Sequence, residues 1–128
     1  MTSFPKSIVF AFTEDGGLQV FRDKEAAIRE YEGIDVESEA VCFYDSAGKF
    51  LEPHFTSPNK HGKILGLLNW TQSGSYDLVL SHASHDLFSL ALFETRYMES
   101  NEWFESLDAA KRALRNAGVE VDFERPEL

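Results

Sequence analysis

Residues 7–12, Ser-Ile-Val-Phe-Ala-Phe, form a nearly unbroken apolar run, the pattern of a strand that is covered on both faces or lies centrally in its sheet. Glu14-Asp15-Gly16-Gly17 supplies turn chemistry, and Leu18-Gln19-Val20-Phe21 returns with strand composition, so 7–22 predicts a first hairpin. Asp23 stands where it can cap a helix over 24–31, with Ala27, Ile28 and Tyr31 on the inner stripe and Glu25, Arg29, Glu30 and Glu32 in water. Gly33 ends that helix, and residues 34–37 lead out. Residues 40–44 and 49–51 predict a second hairpin joined by Asp45-Ser46-Ala47-Gly48. Two prolines and a terminal glycine make 52–62, with His54 and His61, the longest irregular connection, a candidate mobile loop.

The run 64–71 fits either a buried strand or a helix, because a short apolar run has no diagnostic period. Ser73-Gly74-Ser75 followed by 76–80 favours the strand, and with it a third hairpin over 64–81. Residues 86–98 predict a helix capped from Ser84 or Asp86 and apolar around most of its circumference, hence central and buried on more than one side. A last helix starts at Ser106, carries Leu107, Ala110, Leu114 and Ala117 at spacings of three and four, stops at Gly118 and leads into a strand over 119–123. Phe104, Ser106, Ala109 and Ala110 stand to it as Phe21, Asp23, Ala26 and Ala27 stand to the first helix, a similarity that common helix grammar explains more simply than duplication. The predicted fold class is α+β: a mostly antiparallel sheet of about six strands, built from hairpins, with about three helices packed on it.

A chain of 128 residues, 43% apolar and with eleven Phe, is long enough for one domain spanning 1–128 with a substantial core. No run of eighteen uncharged apolar residues and no basic-plus-apolar leader occurs, so a soluble, cytoplasmic protein is expected. The lone cysteine, Cys42, lies between Val41 and Phe43 and reads as a small core residue.

Charge changes the picture most. The formal net charge is −10, from 22 acids against 12 bases, and the middle of the chain is neutral while both flanks are acidic. Such a field disfavours phosphate backbones and anionic lipid, so neither a direct nucleic-acid partner nor a membrane is expected, and it favours a basic protein partner. Glu32, Asp35, Glu37 and Glu39 fall within eight residues with no base among them, and Asp45 and Glu52 follow on the adjoining hairpin. These six are the candidate partner-binding residues. Trp70, Trp103 and Tyr97 are candidate apolar anchors for such an interface.

Candidate catalytic chemistry is sparse. His82, His85 and Asp86 form the one cluster that could hold a metal or relay a proton, but they lack a third ligand at a recognised spacing and sit where a helix start uses such residues as caps. There is no glycine-rich phosphate loop, no Gly-x-Ser-x-Gly elbow and no Cys paired with a motif-borne His. No catalytic residue, cofactor or metal is therefore expected, and a small ligand- or metal-binding enzyme using His82, His85 and Asp86 is the alternative. A structural adaptor is a third reading, and the oligomeric state is left open.

Val20-Phe21, the capped helix with Glu25-Ala26-Ala27, Glu32-Gly33-Ile34-Asp35-Val36-Glu37, then Val41-Cys42-Phe43-Tyr44-Asp45 and Gly48-Lys49-Phe50-Leu51 together form a pattern that resembles small acidic immunity proteins encoded beside bacterial polymorphic toxins, those of contact-dependent inhibition and type VI effector systems. The resemblance covers residues 18–52 well and the later elements loosely. It implies function by binding: a cognate toxin domain, expected to be a basic nuclease or another enzyme acting on nucleic acid or nucleotides, is held inactive.

Overall fold

A computed structural model describes residues 4–31, 36, 40–64, 66, 68–72, 74–81 and 88–123. Its strands are β1 (Val9–Thr13), β2 (Gly17–Phe21), β3 (Val41–Asp45), β4 (Phe50–Phe55), β5 (Lys60–Ile64), β6 (Leu68–Gln72), β7 (Tyr76–Leu80) and β8 (Tyr97–Met98). The helices among the described residues are α1 (Lys24–Glu30), α2 (Phe88–Glu94) and α3 (Leu107–Asn116). Six strands form one sheet in the order β7-β4-β3-β1-β2-β8, and β5 and β6 form a separate two-stranded sheet. Every pair in the main sheet is antiparallel except β2 with β8. This is the α+β class expected.

Both faces of the sheet are covered, which accounts for the unbroken apolar run in β1. Phe10 on β1, Leu18 on β2 and Tyr44 on β3 point to one face, where Phe88 and Leu92 of α2 and Ala110 and Leu114 of α3 pack on them. Val9, Ala11, Phe43 and Leu51 alternate to the other, under Ala27 of α1 together with Val36, Tyr76 and Leu78. Phe88 is the hub of the first face, with ring centroids 5.2 Å from Phe10, 5.7 Å from Phe12 and 5.4 Å from Tyr44. Each such aromatic contact adds about 0.5–1.5 kcal/mol beyond area burial.

Local grammar fixes the helix ends. The Ala26 N–H donates to Oδ1 of Asp23 at 2.8 Å and the Ala109 N–H to Oγ of Ser106 at 3.1 Å, so both expected N-caps are in place. α1 ends at Glu30, and the Tyr76 hydroxyl donates to the Tyr31 carbonyl at 2.8 Å. α3 closes in a Schellman arrangement: Gly118, at φ +86, donates to the Arg115 carbonyl, and the Val119 N–H to the Leu114 carbonyl. Ala117 is exposed, and the inner stripe runs through Ala110 and Leu114 with Ala113 packed beside them.

The structure corrects four expectations. β6 pairs with β5 and β7 pairs with β4, so 64–81 is not a hairpin. Most of 52–62 is strand rather than loop, and His54 and His61 lie on β4 and β5. Pro53 is tolerated because Phe50 O and Thr56 N both bond towards β7, which turns the Pro53 nitrogen to the other side, where β3 pairing has stopped at Leu51. The third change is at α2, which ends at Glu94 with Phe93 52% exposed; Tyr97 and Met98 are a strand, parallel to Gly17 and Leu18. Residues 119–123 form no strand, although Val121 is buried against the first face. The expected caps at Ser84 and Asp86, and the stop at Gly33, lie outside the described residues.

Candidate functional site

Of the six candidate partner-binding residues, Glu32, Asp35, Glu37 and Glu39 lie outside the described residues, as do His82, His85 and Asp86. Asp45 closes the β3–β4 turn, its Oδ1 accepting from the Ala47 and Lys49 N–H groups at 2.9 Å each. That commits its carboxylate to the fold and places it at the far end of β3 from Ala40. Glu52 is exposed on β4, 3.5 Å from Nε2 of His54. Its neighbour Leu51 packs on the α1 side, so by alternation Glu52 points to the opposite face. The structure therefore brings neither residue together with the flanks of the 32–39 segment. Trp103 is half-buried against the core; Tyr97 is 49% exposed; the Trp70 side chain lies outside the description.

The flanks of that acidic segment, Tyr31 and Ala40, border the β1–β2 turn instead. The Glu14 N–H donates to the Ala40 carbonyl at 3.0 Å, and a hollow of about 270 Å³ is lined by Thr13, Glu14 and Asp15 on one side and Tyr31, Ala40 and Val41 on the other. Asp15 organises the turn. Its Oδ1 accepts from the Thr13 hydroxyl and from the Gly17 N–H at 3.2 Å, and its Oδ2 accepts from the Tyr97 hydroxyl at 2.8 Å. These donors, Thr13 first and Tyr97 next, hold the Asp15 carboxyl below the usual carboxylate range, while the bond to Asp15 raises the Tyr97 phenol. Burial, then the charge of Glu30, pushes Tyr31 up to about 12, so it stays a neutral donor to Gln19.

Tyr97 reaches Asp15 because residue 17 is glycine. A Cβ there would stand 2.6 Å from the Tyr97 oxygen and 2.8 Å from Oγ1 of Thr13, closer than real contacts allow. On the other face of the same turn a cleft of about 380 Å³ opens between β1, β3 and the C-terminal end of α2. Half-buried Phe12, Leu90 and Ala91 share its lining with half-buried Thr13 and Thr95, and Glu14, Asp15, Glu94 and Arg96 are its exposed residues. Sequence reasoning read Glu14-Asp15-Gly16-Gly17 only as a turn; the acid pair within it was the available signal that it also carries charge into a site.

The cleft combines exposed charge with a half-buried lining of apolar and hydroxyl side chains. No group of three or more potential metal ligands occurs among the described residues, and the cleft contains no histidine. No helix among the described residues is long and apolar enough to cross a membrane. No protein-family profile, curated protein or solved structure matches the chain.

Proposed function

We propose that the chain is an immunity-type protein of the cytoplasm that works by binding a basic toxin domain and performs no chemistry of its own. The observation that carries this reading is uncompensated charge. A net charge of −10, with histidine neutral, is accompanied among the described residues by ion-pair contacts at Arg22–Asp23 and Arg115–Asp122 alone, both solvent-exposed. Glu14, Glu94, Glu99, Glu102 and Glu105 have no ionic partner among the described residues and are exposed. Carboxylates left this way contribute little to stability and extend a negative field that accelerates encounter with a basic surface.

The proposed contact surface is the 32–39 segment together with the Glu14–Asp15 turn that its flanks adjoin. A nuclease or another enzyme acting on nucleic acid or nucleotides is the toxin class such a field suits, since its own substrate site must be basic. The test is growth protection. Expression of the product of the adjoining reading frame should arrest growth, and co-expression of this chain should restore it, with a complex whose affinity falls as salt rises. Growth arrest unrelieved by this chain, with no complex at low salt, would refute the reading.

A further inference from the structure

The cleft beside the β1–β2 turn has apolar Phe12, Leu90 and Ala91 in an otherwise mixed lining, and exposed residues of unequal charge, with Glu14, Asp15 and Glu94 against Arg96. The oxygens of Asp15 are already occupied by Thr13, Gly17 and Tyr97, so Asp15 contributes fixed negative charge rather than free acceptor sites. Glu14 and Glu94 have no side-chain hydrogen-bond or ionic partner among the described residues, and their acceptor capacity is open. α2 adds to this, since its last turn carries no basic residue and its negative dipole end lies at the cleft. We propose that this cleft receives the side chain of an arginine from the partner protein, its guanidinium between Glu14 and Glu94 and its stem along Phe12, Leu90 and Ala91.

Three considerations select that occupant. A volume of about 380 Å³ lies near the lower end of ligand pockets, roughly 300–1,000 Å³, and suits one long side chain better than a cofactor. An anionic group would face three carboxylates and a helix C-terminus with a single base to attract it. Between the two cationic side chains, the guanidinium is the less strongly hydrated, forks onto carboxylates and packs on aromatic surface such as Phe12, whereas an ammonium is a compact, strongly hydrated point charge. Arg96 opposes this occupant. Its backbone N–H donates to the Gly16 carbonyl at 2.7 Å, and its aliphatic stem lies against Gly16, where a Cβ would be 2.9 Å from Arg96 Cγ, so its charge is held at the mouth.

The proposal rests on the reading of the chain as a binder of a basic protein, and names the residue type recognised. Its test needs no toxin. The ¹⁵N-labelled full chain is titrated with N-acetylarginine methylamide while amide shifts are followed. Saturable shifts are expected at Gly16, Gly17, Thr95 and Arg96. Replacing Glu14→Gln and Glu94→Gln together should weaken binding on the order of tenfold, as loss of charge-assisted bonds does. Arg96→Gln should strengthen it several-fold, an opposite sign that damage to the fold would not produce. The norleucine analogue, which keeps an apolar stem and lacks the cation, should give no saturable shifts. Equal affinity in the Glu14/Glu94 variant, shifts scattered over the acidic surface, or equal binding of norleucine would each overturn the proposal. None of those outcomes bears on growth protection, and a failure of protection leaves this titration standing.

Discussion

The hydroxyl of Tyr97 donates to Oδ2 of Asp15 at 2.8 Å, joining residues 82 positions apart and holding the edge strand β8 to the turn between β1 and β2. The bond needs Asp15 ionised and Tyr97 protonated, which sets both limits of its pH range. The Asp15 pKa is lowered in the folded state, so its contribution is present above the ordinary carboxyl range, about 3.9, and is lost as pH falls through the folded value. The Tyr97 pKa is raised, so its contribution is full below about 10 and is lost as pH rises through the folded value. Tyr97→Phe should therefore lower the melting temperature at neutral pH and flatten its decline at both extremes. Parallel Tm–pH curves for the two proteins would show that the bond does not contribute to folding.

Gly17 is the structural condition for that bond. Gly17→Ala places a methyl 2.6 Å from the Tyr97 oxygen and 2.8 Å from Oγ1 of Thr13, and overpacking of this kind costs about 1–3 kcal/mol. Removing the ring in Tyr97→Ala clears much of the space, so the double variant should be less destabilised than the two single costs added together. Denaturant unfolding of the four proteins closes the cycle, and strict additivity would mean that the two residues do not meet.

Phe88 packs against Phe10, Phe12 and Tyr44 and is 4% exposed. Phe88→Ala should cost about 3–5 kcal/mol, a large part of the 5–15 kcal/mol typical of a domain. The measurement is the denaturant midpoint at constant m-value. A loss under 1 kcal/mol would mean that α2 is not seated on this face.

What the sequence made legible was local. Asp23 and Ser106 cap their helices because an Asp or Ser side chain needs only the N–H three residues ahead, and the two short hairpins close within their own turns. The pairing of β7 with β4 was not legible. It is decided by whether Leu51 and Leu78 share a buried face, a choice no window around 64–81 contains, and Pro53 disguised the strand it lies in. The apolar run in β1 correctly called for cover on both faces. That α1 covers one face and α2 and α3 the other is a consequence of packing between distant segments. The cleft was hidden for the same reason, because Glu14 and Glu94 come to line one cleft only after folding.

The proposed basic partner should make first contact through the acidic 32–39 segment. Asp35, Glu37 and Glu39 lie in a stretch with no compensating base, between Tyr31 and Ala40, which adjoin the exposed acids of the β1–β2 turn. Long-range attraction acts on the rate of association and weakens as salt shortens the screening length, about 10 Å at 0.1 M and about 30 Å at 0.01 M. Reversing these three acids to lysine moves the local charge by six units, from −3 to +3. Association with the proposed basic toxin domain should slow by about tenfold or more at low salt, and the difference should shrink as salt is added. Tm is measured on the same variant, so that slower association is read apart from any loss of stability. Asp45 supplies the contrast: its carboxylate ties its own turn at the far end of β3, so Asp45→Ala should lower Tm while leaving the association rate near that of the parent. An association rate unchanged by the triple reversal at low salt would place the encounter surface elsewhere, and the exposed acids at 94–108 would be the next to reverse.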